Sequence, residues 1–479
     1  MVIARGLAPC LGAVVALGAC SGDELAVRPV LDLPVDDTDA DAFGDIDEIT
    51  ITVARAGSER DLVTQTFSRG EPLELVGAPL GDDLVIHLTG FDGGIPVAYG
   101  RTCAFSLAAD EPAPAPHVFF STTLKFARLG ITPAARNEGR GASFLGDALF
   151  VGGKLGNAVV REVERFDAFT GQLATVGELG PRVGAVEAIL GVAPPRLAVI
   201  GGQVDDTGAA VVELVDGERA IETITSERVA RIGHTATSLS DGGVIVIGGH
   251  PPGGAPVGKL TELAVDGPSV VIRDLRAELA HPRTGHTATR LGDDVGAPVL
   301  VAGGLDASGA PVGTAELFKP LREELAPPAT FAPAMVVPRS RHQAARMPDG
   351  SVLFLGGIDA AGQPVRTLEL FSLDAGFVVV GELPAEAGVI DMTVTVLPDG
   401  RLLLAGGRTS IAGAATNTAY IARLDQLDGS VDVVGTDRLS VPRAGHQAAL
   451  LCDGTVLVTG GTAIAEVAER YNPAAVSRR

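Results

Sequence analysis

Four histidines share one local setting: Arg231-Ile232-Gly233-His234, Arg283-Thr284-Gly285-His286, Arg339-Ser340-Arg341-His342 and Arg443-Ala444-Gly445-His446. An imidazole beside a guanidinium could ligate a metal, shuttle a proton or, through the arginine fork, hold an anion. Each histidine, however, stands at the same place in its own repeat. A ring of repeats would spread them around an axis instead of gathering them, so they are expected to be structural, hydrogen-bonded between neighbouring units. The arginines (Arg182 belongs with them) have two readings. They could hold an anionic ligand by bidentate contacts, or pair with glutamates and aspartates of their own repeats.

The repeat is fixed by seven Gly-Gly pairs that begin at Gly152, Gly201, Gly248, Gly303, Gly356, Gly406 and Gly460, each closing an apolar run such as Val352-Leu353-Phe354-Leu355. Ahead of several runs stands an Asp-Gly turn: Asp241-Gly242, Asp349-Gly350, Asp399-Gly400 and Asp453-Gly454. About a dozen residues after most pairs comes a Glu-x-apolar triplet, beginning at Glu164, Glu213, Glu262, Glu316, Glu369 and Glu469. Tyr420 occupies the matching place in the sixth repeat. Loops after the diglycines repeat too, as Asp205-Asp206-Thr207-Gly208, Asp306-Ala307-Ser308-Gly309 and Asp359-Ala360-Ala361-Gly362. Asp and Gly at those offsets are what tight turns need, and so few carboxylates per loop argue against calcium. Each unit therefore offers two strands around a hairpin, a third ending in the triplet and a fourth before the next Arg.

A period near 50 with a diglycine after a strand resembles the Kelch repeat. The resemblance covers roughly 120–479 and implies an all-β, seven-bladed Kelch-type β-propeller of the galactose oxidase/Kelch superfamily. Blades set radially bury their faces and leave only short edges. The last repeat stops after Tyr471 without a fourth strand, and Thr123–Leu129 precedes the first repeat unpaired, so this N-terminal strand is expected to lock the ring. The family's usual Trp is missing from every repeat, since the chain contains none; Val, Leu or Phe must fill that slot. His is also missing from repeats one, two and six, where Arg140, Ala185 and Asp391–Met392 stand. A copper radical oxidase resembling galactose oxidase needs tyrosines and histidines converging on a metal. Of the three tyrosines here, Tyr420 and Tyr471 take the blade-core slot of Phe166, Phe318 and Phe371, and Tyr99 lies outside the repeats. No metal or cofactor site is expected. Sialidase Asp boxes end in Trp and are likewise not built; a sugar mutarotase or lyase using pore Arg, His and Glu is the alternative function.

Gly (62) and Pro (31) at such density, with 20% charged residues, favour turns and strands over helices. A net charge of −22 offers no cationic footprint for nucleic acid. Residues 1–19 read as a signal peptide: Arg5, then the uncharged run Leu7–Ala19, too short to span a bilayer. The run ends in Leu17-Gly18-Ala19-Cys20, which resembles the bacterial lipobox, with Cys20 as lipid attachment site; Ser21 after it favours the outer membrane by the same resemblance. Residues 20–46, rich in Asp and Glu, read as a flexible acidic stalk. Alternating apolar and polar residues over 47–119 suit a small β-sandwich, joined through the Pro112–Pro116 run to the propeller at 120–479. Cys103 and Cys452 fall in different units and are expected to be unpaired thiols.

The expected protein is a monomeric cell-surface or outer-membrane lipoprotein, held to the membrane by its N-terminal lipid. Its propeller displays a non-catalytic binding face for a glycan or a protein. The residues after the diglycines vary in type from repeat to repeat: Lys154, Gln203, His250, Leu305, Ile358, Arg408 and Thr462. Variation on a rigid repeat is what a ligand-reading surface needs. Lys154, Gln203, His250 and Arg408, with Arg231, Arg283, Arg339 and Arg443, are the candidate ligand contacts on the pore face.

Overall fold

The computed structural model describes residues 27, 29–35, 44, 46–58, 60–69, 71, 78–108, 114–218, 221–326, 333–462 and 467–473. The signal peptide, Cys20 and most of the acidic stretch lie outside the described residues. The regular structure of the rest is almost entirely strand. Seven four-stranded antiparallel sheets follow one another along the chain; the first six span 140–178, 186–225, 235–278, 287–325, 343–382 and 393–435, and are numbered blades 1 to 6.

Blade 5 shows why the sequence folds this way. Its strands are Gln343–Arg346, Val352–Leu355, Thr367–Ser372 and Gly376–Glu382, paired in that order. Val352–Leu355 is buried throughout, as are its counterparts Val244–Ile247, Val299–Ala302, Leu402–Ala405 and Val456–Thr459. A strand with neighbouring blades against both faces must be apolar on both, and these strands read as unbroken apolar runs. The outer strand keeps only half its face covered, so Val378 and Val379 stand exposed. Between successive blades lie seven apolar layers, one for each junction of the ring. Phe, Leu and Val fill them without Trp; Phe318, for example, packs with Ile245, Val299 and Leu275 between blades 3 and 4.

Blade 7 is built from both ends of the repeat region: Gln447–Leu450, Val456–Thr459, Glu469–Asn472 and then Lys125–Arg128. Phe126 opposes Tyr471, with ring centroids 4.8 Å apart. The expected N-terminal strand therefore closes the ring. The preceding unit is a six-stranded sheet around Glu48–Arg55 and Gly81–Asp92, faced by a parallel pair, Val30–Asp32 with His117–Phe119. That pair corrects the reading of 20–46 as free stalk: Val27, Leu31 and Ile46 are buried in the core of this unit. Alternation of apolar residues with acidic ones (Leu31, Asp32, Leu33) supplies one core-facing side even in an acidic segment.

The cysteine expectation is also corrected. Cys103 and Cys452 form a disulfide, their Cα atoms 5.1 Å apart across 349 residues of sequence. Ring closure brings the N-terminal unit against the Asp453-Gly454 turn of blade 7, which sequence distance conceals. Asn472 Nδ2 donates to the carbonyls of Tyr99 and Ser121 across the same junction. Arg470 pairs with Asp453 and lies over the rings of Phe119 and Phe166.

Candidate functional site

The motif arginines do not face a ligand. Arg283, Arg339 and Arg443 are fully buried and Arg182, Arg231 and Arg136 nearly so. In blade 5 Arg339 pairs with Glu369, and donates to the carbonyls of Val337, Gly356 and Thr367. Glu369 in turn accepts from the amides of Val336 and Val337, at 2.7 and 3.0 Å. The same clamp recurs as Arg136–Glu164, Arg182–Glu213, Arg283–Glu316 and Arg443–Glu469. It ties the loop entering the blade to the third strand; Arg136, Arg283, Arg339 and Arg443 also donate to the carbonyl of the first diglycine residue, and Arg182 donates to that of Val199. Burial pulls Arg283, Arg339 and Arg443 below the ordinary guanidinium range, opposed by the paired glutamate. Arg283, Arg339 and Arg443 thus follow the pairing alternative of the two readings, whereas Arg231 is buried without a carboxylate partner among the described residues and donates to the carbonyls of Gly248 and Lys259 and to the Thr261 hydroxyl.

Two register details depart from the sequence reading. The residue opposite the second-strand position two before each diglycine is Glu in five blades, but Thr261 in blade 3 and Tyr420 in blade 6. Glu262 is therefore one residue off the slot and pairs at the surface with Arg273. Tyr420 takes the glutamate slot and not the Phe slot, which Tyr471 does take. In blade 6 both clamp partners are exchanged together, Val389 standing where the others have Arg.

The histidines join blades. His286, His342 and His446 place Nε2 at 3.1, 3.0 and 2.9 Å from the hydroxyls of Thr235, Thr287 and Thr393 in the preceding blade. Each ring lies over the first diglycine residue of that preceding blade, at Gly248, Gly303 and Gly406, where a Cβ would collide with it. His234 faces blade 2, which offers Val186 where the others offer Thr. Burial holds His234, His342 and His446 neutral, their pKa values lowered to about 3, and His286 is lowered in the same direction. Met392 fills the slot in blade 6. Gly139 holds it in blade 1, not Arg140, because the blade 1 clamp starts at Arg136. Blade 2 has Ala185 there, and an empty space lined by Gly152, Arg182 and Ala185 remains.

What stays accessible at this end of the ring is the residue after each diglycine. Lys154, Gln203, His250, Leu305, Ile358 and Arg408 each bridge to the residue following the clamp position of the same blade. All six are partly exposed, and Thr462 is exposed. A second set lies beside them, two residues after each clamp position: Glu138, Gly184, Gly233, Gly285, Arg341, Asp391 and Gly445. All seven have left-handed backbone, with φ between 56° and 69°. Neighbours in this set touch through main chain, Gly285 N to Gly233 O, Gly445 N to Asp391 O and Glu138 N to Gly445 O, at 2.8–2.9 Å. They form an inner rim around the axis.

Glycine is the fitting residue for that backbone, since a Cβ there costs about 1–2 kcal/mol. Blades 1, 5 and 6 carry charged residues instead. Arg341 Nη2 lies 2.7 Å from Asp391 Oδ1 and Arg408 Nε 3.8 Å from Asp391 Oδ2, while Lys154 Nζ lies 2.8 Å from Glu138 Oε2. Of this cluster the sequence reading had Lys154 and Arg408 and missed Glu138, Arg341 and Asp391. The signal was present: three motifs read Arg-x-Gly-His, and Arg341 breaks that pattern. Farther out on the same face a cavity of about 700 Å³ opens between blades 3, 4 and 5, lined by Pro256, His281, Pro282, Asp306, Val312 and Pro338. The Asp306 and Asp359 carboxylates accept from Ser308 and Ala310, and from Ala361 and Gln363, as turn caps.

A copper centre does not fit this donor set. Tyr99 bonds His87 in the N-terminal unit, Tyr471 bonds Thr436 in the closing blade, and Tyr420 stands in blade 6. The buried histidines are committed between blades, and among the described residues no three His, Cys, Asp or Glu side chains gather as ligands. No protein-family model matches the chain, and no curated protein matches it. Solved structures do. A fungal alcohol oxidase of the AA5 family, in complex with copper, aligns with a TM-score of 0.53 at 15% identity, over 73% of this chain and 75% of that one. YjhT aligns with a TM-score of 0.44 at 12% identity, over 71% of this chain and 95% of that one. At such identity the likeness to the oxidase is one of fold alone, an all-β propeller.

Proposed function

We propose that the chain is an exported lipoprotein, anchored through Cys20 on the outer membrane or cell surface, whose monomeric Kelch-like propeller binds a glycan or a protein without catalysis. The observation that carries the binding reading is the row of accessible residues after the diglycines. The backbone position is the same in each blade, yet the side chains run from Lys154 and Arg408 through Gln203 and His250 to Leu305, Ile358 and Thr462. Framework positions in this repeat look alike, as the glycines and the Arg–Glu clamp do. The disulfide supports an oxidising compartment and hence export. The enzyme alternative rests on the arginines and histidines of the repeat motif, and those side chains are buried.

The test is a glycan array and a surface-protein pulldown with the mature chain, repeated on Lys154→Ala/Gln203→Ala/His250→Ala/Arg408→Ala protein. Hits lost by a variant with wild-type thermal stability support the face. Hits retained move the site elsewhere, and turnover of a sugar-acid substrate that dies with these changes would favour an enzyme. For the anchor, a Cys20→Ser variant should leave the membrane fraction and lose its lipid mass; continued lipidation would overturn Cys20.

A further inference from the structure

The inner rim is uniform in backbone and uneven in side chain. Blades 2, 3, 4 and 7 meet its left-handed conformation with Gly184, Gly233, Gly285 and Gly445. Gly233 and Gly445 have no alternative, because a Cβ would collide with Thr284 Oγ1 and Asn137 Oδ1 of the next blade. At Gly285, by contrast, a Cβ would meet open space, and glycine is kept all the same. Arg341 adopts the same backbone in blade 5, at φ 57°, with a side chain that glycine would spare the fold. A charged residue held in a conformation that disfavours it, at a rim, marks a functional demand.

The charges there are arranged, not scattered. Arg341 and Arg408, from adjacent blades, both lie within 4 Å of the one carboxylate of Asp391. Arg408 is too far from it for a hydrogen bond, and each guanidinium has five donors to offer. The triad carries a net charge of +1 on a chain of net −22. Its side chains are 44%, 30% and 25% exposed for Arg341, Arg408 and Asp391, open to a ligand yet partly shielded from solvent screening.

Resting on the reading of this face as the binding face, we infer that Arg341 and Arg408 form a subsite for an oxyanion, the carboxylate or sulfate of an acidic ligand. Asp391 spaces the two guanidinium groups and keeps their donors turned to the rim. Carboxylate and sulfate share the fork geometry that arginine matches. The ligand arrives at a strongly acidic protein, so the subsite selects for the anionic group against a repulsive background.

The experiment uses the full mature chain with three labelled oligosaccharide probes: a uronate-bearing chain, a sulfated chain and a neutral chain of equal length. Binding is measured at low and at physiological salt. The acidic probes should bind at least tenfold more tightly than the neutral one, and the stronger of the two names the source of the oxyanion. Arg341→Gly and Arg408→Ala should each weaken acidic-probe binding about tenfold or more and flatten its salt dependence. Arg341→Gly should melt no lower than wild type, since it restores the residue this backbone prefers. A melting point several degrees lower would make Arg341 structural and overturn the subsite. Acidic-probe binding unchanged in Arg341→Gly and Arg408→Ala but lost in Gln203→Ala/His250→Ala would overturn it while sparing the face. Equal binding of all three probes by every variant, or no binding of any probe, would overturn the subsite too, and the array and pulldown then decide the face separately.

Discussion

At the residue scale the clamp arginines show how one side chain can be framework or function depending on its partner. A guanidinium that meets a buried carboxylate, up to three carbonyls and almost no solvent has little left to give a ligand. Removing one partner leaves the other charged and buried, a loss of about 3–5 kcal/mol. Glu369→Ala should destabilise the protein by that amount in denaturant melts. Glu262→Ala, one residue off the slot in blade 3 and paired at the surface, should change stability by under about 1 kcal/mol. Equal effects would contradict the assignment of Thr261 to the clamp slot. The histidines predict a pH dependence. Their folded pKa values near 3 lie below the unfolded value of about 6.5, so between those limits the unfolded chain takes up protons that the folded one refuses. Their stabilisation is complete above pH 6.5 and fades as pH falls, by about 1.4 kcal/mol per unit for each histidine. His342→Gln should flatten the fall in urea midpoint between pH 7 and 4.5, and an unchanged slope would count against a buried neutral His342. Repeated Arg, Gly and His were legible in the sequence because they recur. Which glutamate meets which arginine was not, since a slip of one residue turns a side chain to the other face of a strand. The rim charges Arg341, Asp391 and Glu138 stayed hidden for a different reason. Their importance lies in backbone sign, which residue identity reveals only against the glycines of sister blades.

At the scale of elements, five of the seven blade boundaries are sealed by a side chain from the next blade lying over a diglycine. His does this in four blades and Met392 in blade 6, and Gln447 reaches over Gly460 where blade 1 has only Gly139. The junction of blades 1 and 2 is the exception: nothing lies within 4 Å of the Cβ direction of Gly152. Ala185→Met, copying blade 6, should fill that space without asking for a hydrogen-bond partner, and raise stability by about 0.5–2 kcal/mol. A destabilised variant would show the junction too tight for the side chain. The closing strand makes the opposite case. Phe126 is buried against Leu397, Leu403 and Tyr471, between blades 6 and 7. Phe126→Ala should cost about 3–5 kcal/mol and speed amide exchange in Glu469–Asn472 ahead of the other third strands. Uniform exchange across blades would mean that closure is no weaker than any other junction. That strand was legible because the repeat count left one strand short at the end and one spare at the start.

At the scale of the whole molecule, the ring is held shut by a four-residue strand pair, a buried arginine and one covalent bond. The bond between Cys103 and Cys452 encloses 349 residues, and chain entropy gives a cross-link that long about 5 kcal/mol or somewhat more. Some of that is lost if the unfolded chain keeps residual structure, so Cys103→Ser/Cys452→Ser should destabilise by about 3–5 kcal/mol. No sequence argument reached this pairing, because composition and spacing report neighbours along the chain, whereas these two thiols meet only after seven blades have turned full circle. The same geometry dictates the measurement. Thiol titration of the denatured, unreduced mature chain should find neither sulfhydryl, and chain made in a reducing cytosol should show both. Reductant should move the denaturant midpoint of the wild type onto that of the double variant while leaving the variant unmoved. Two free thiols in exported protein, or a reductant effect on the variant, would refute the bond as the clasp of the ring. Since each blade buries its faces only against the next, the loss should appear first where the ends meet: the N-terminal unit and blade 7 should become protease-sensitive before blades 2 to 5 do.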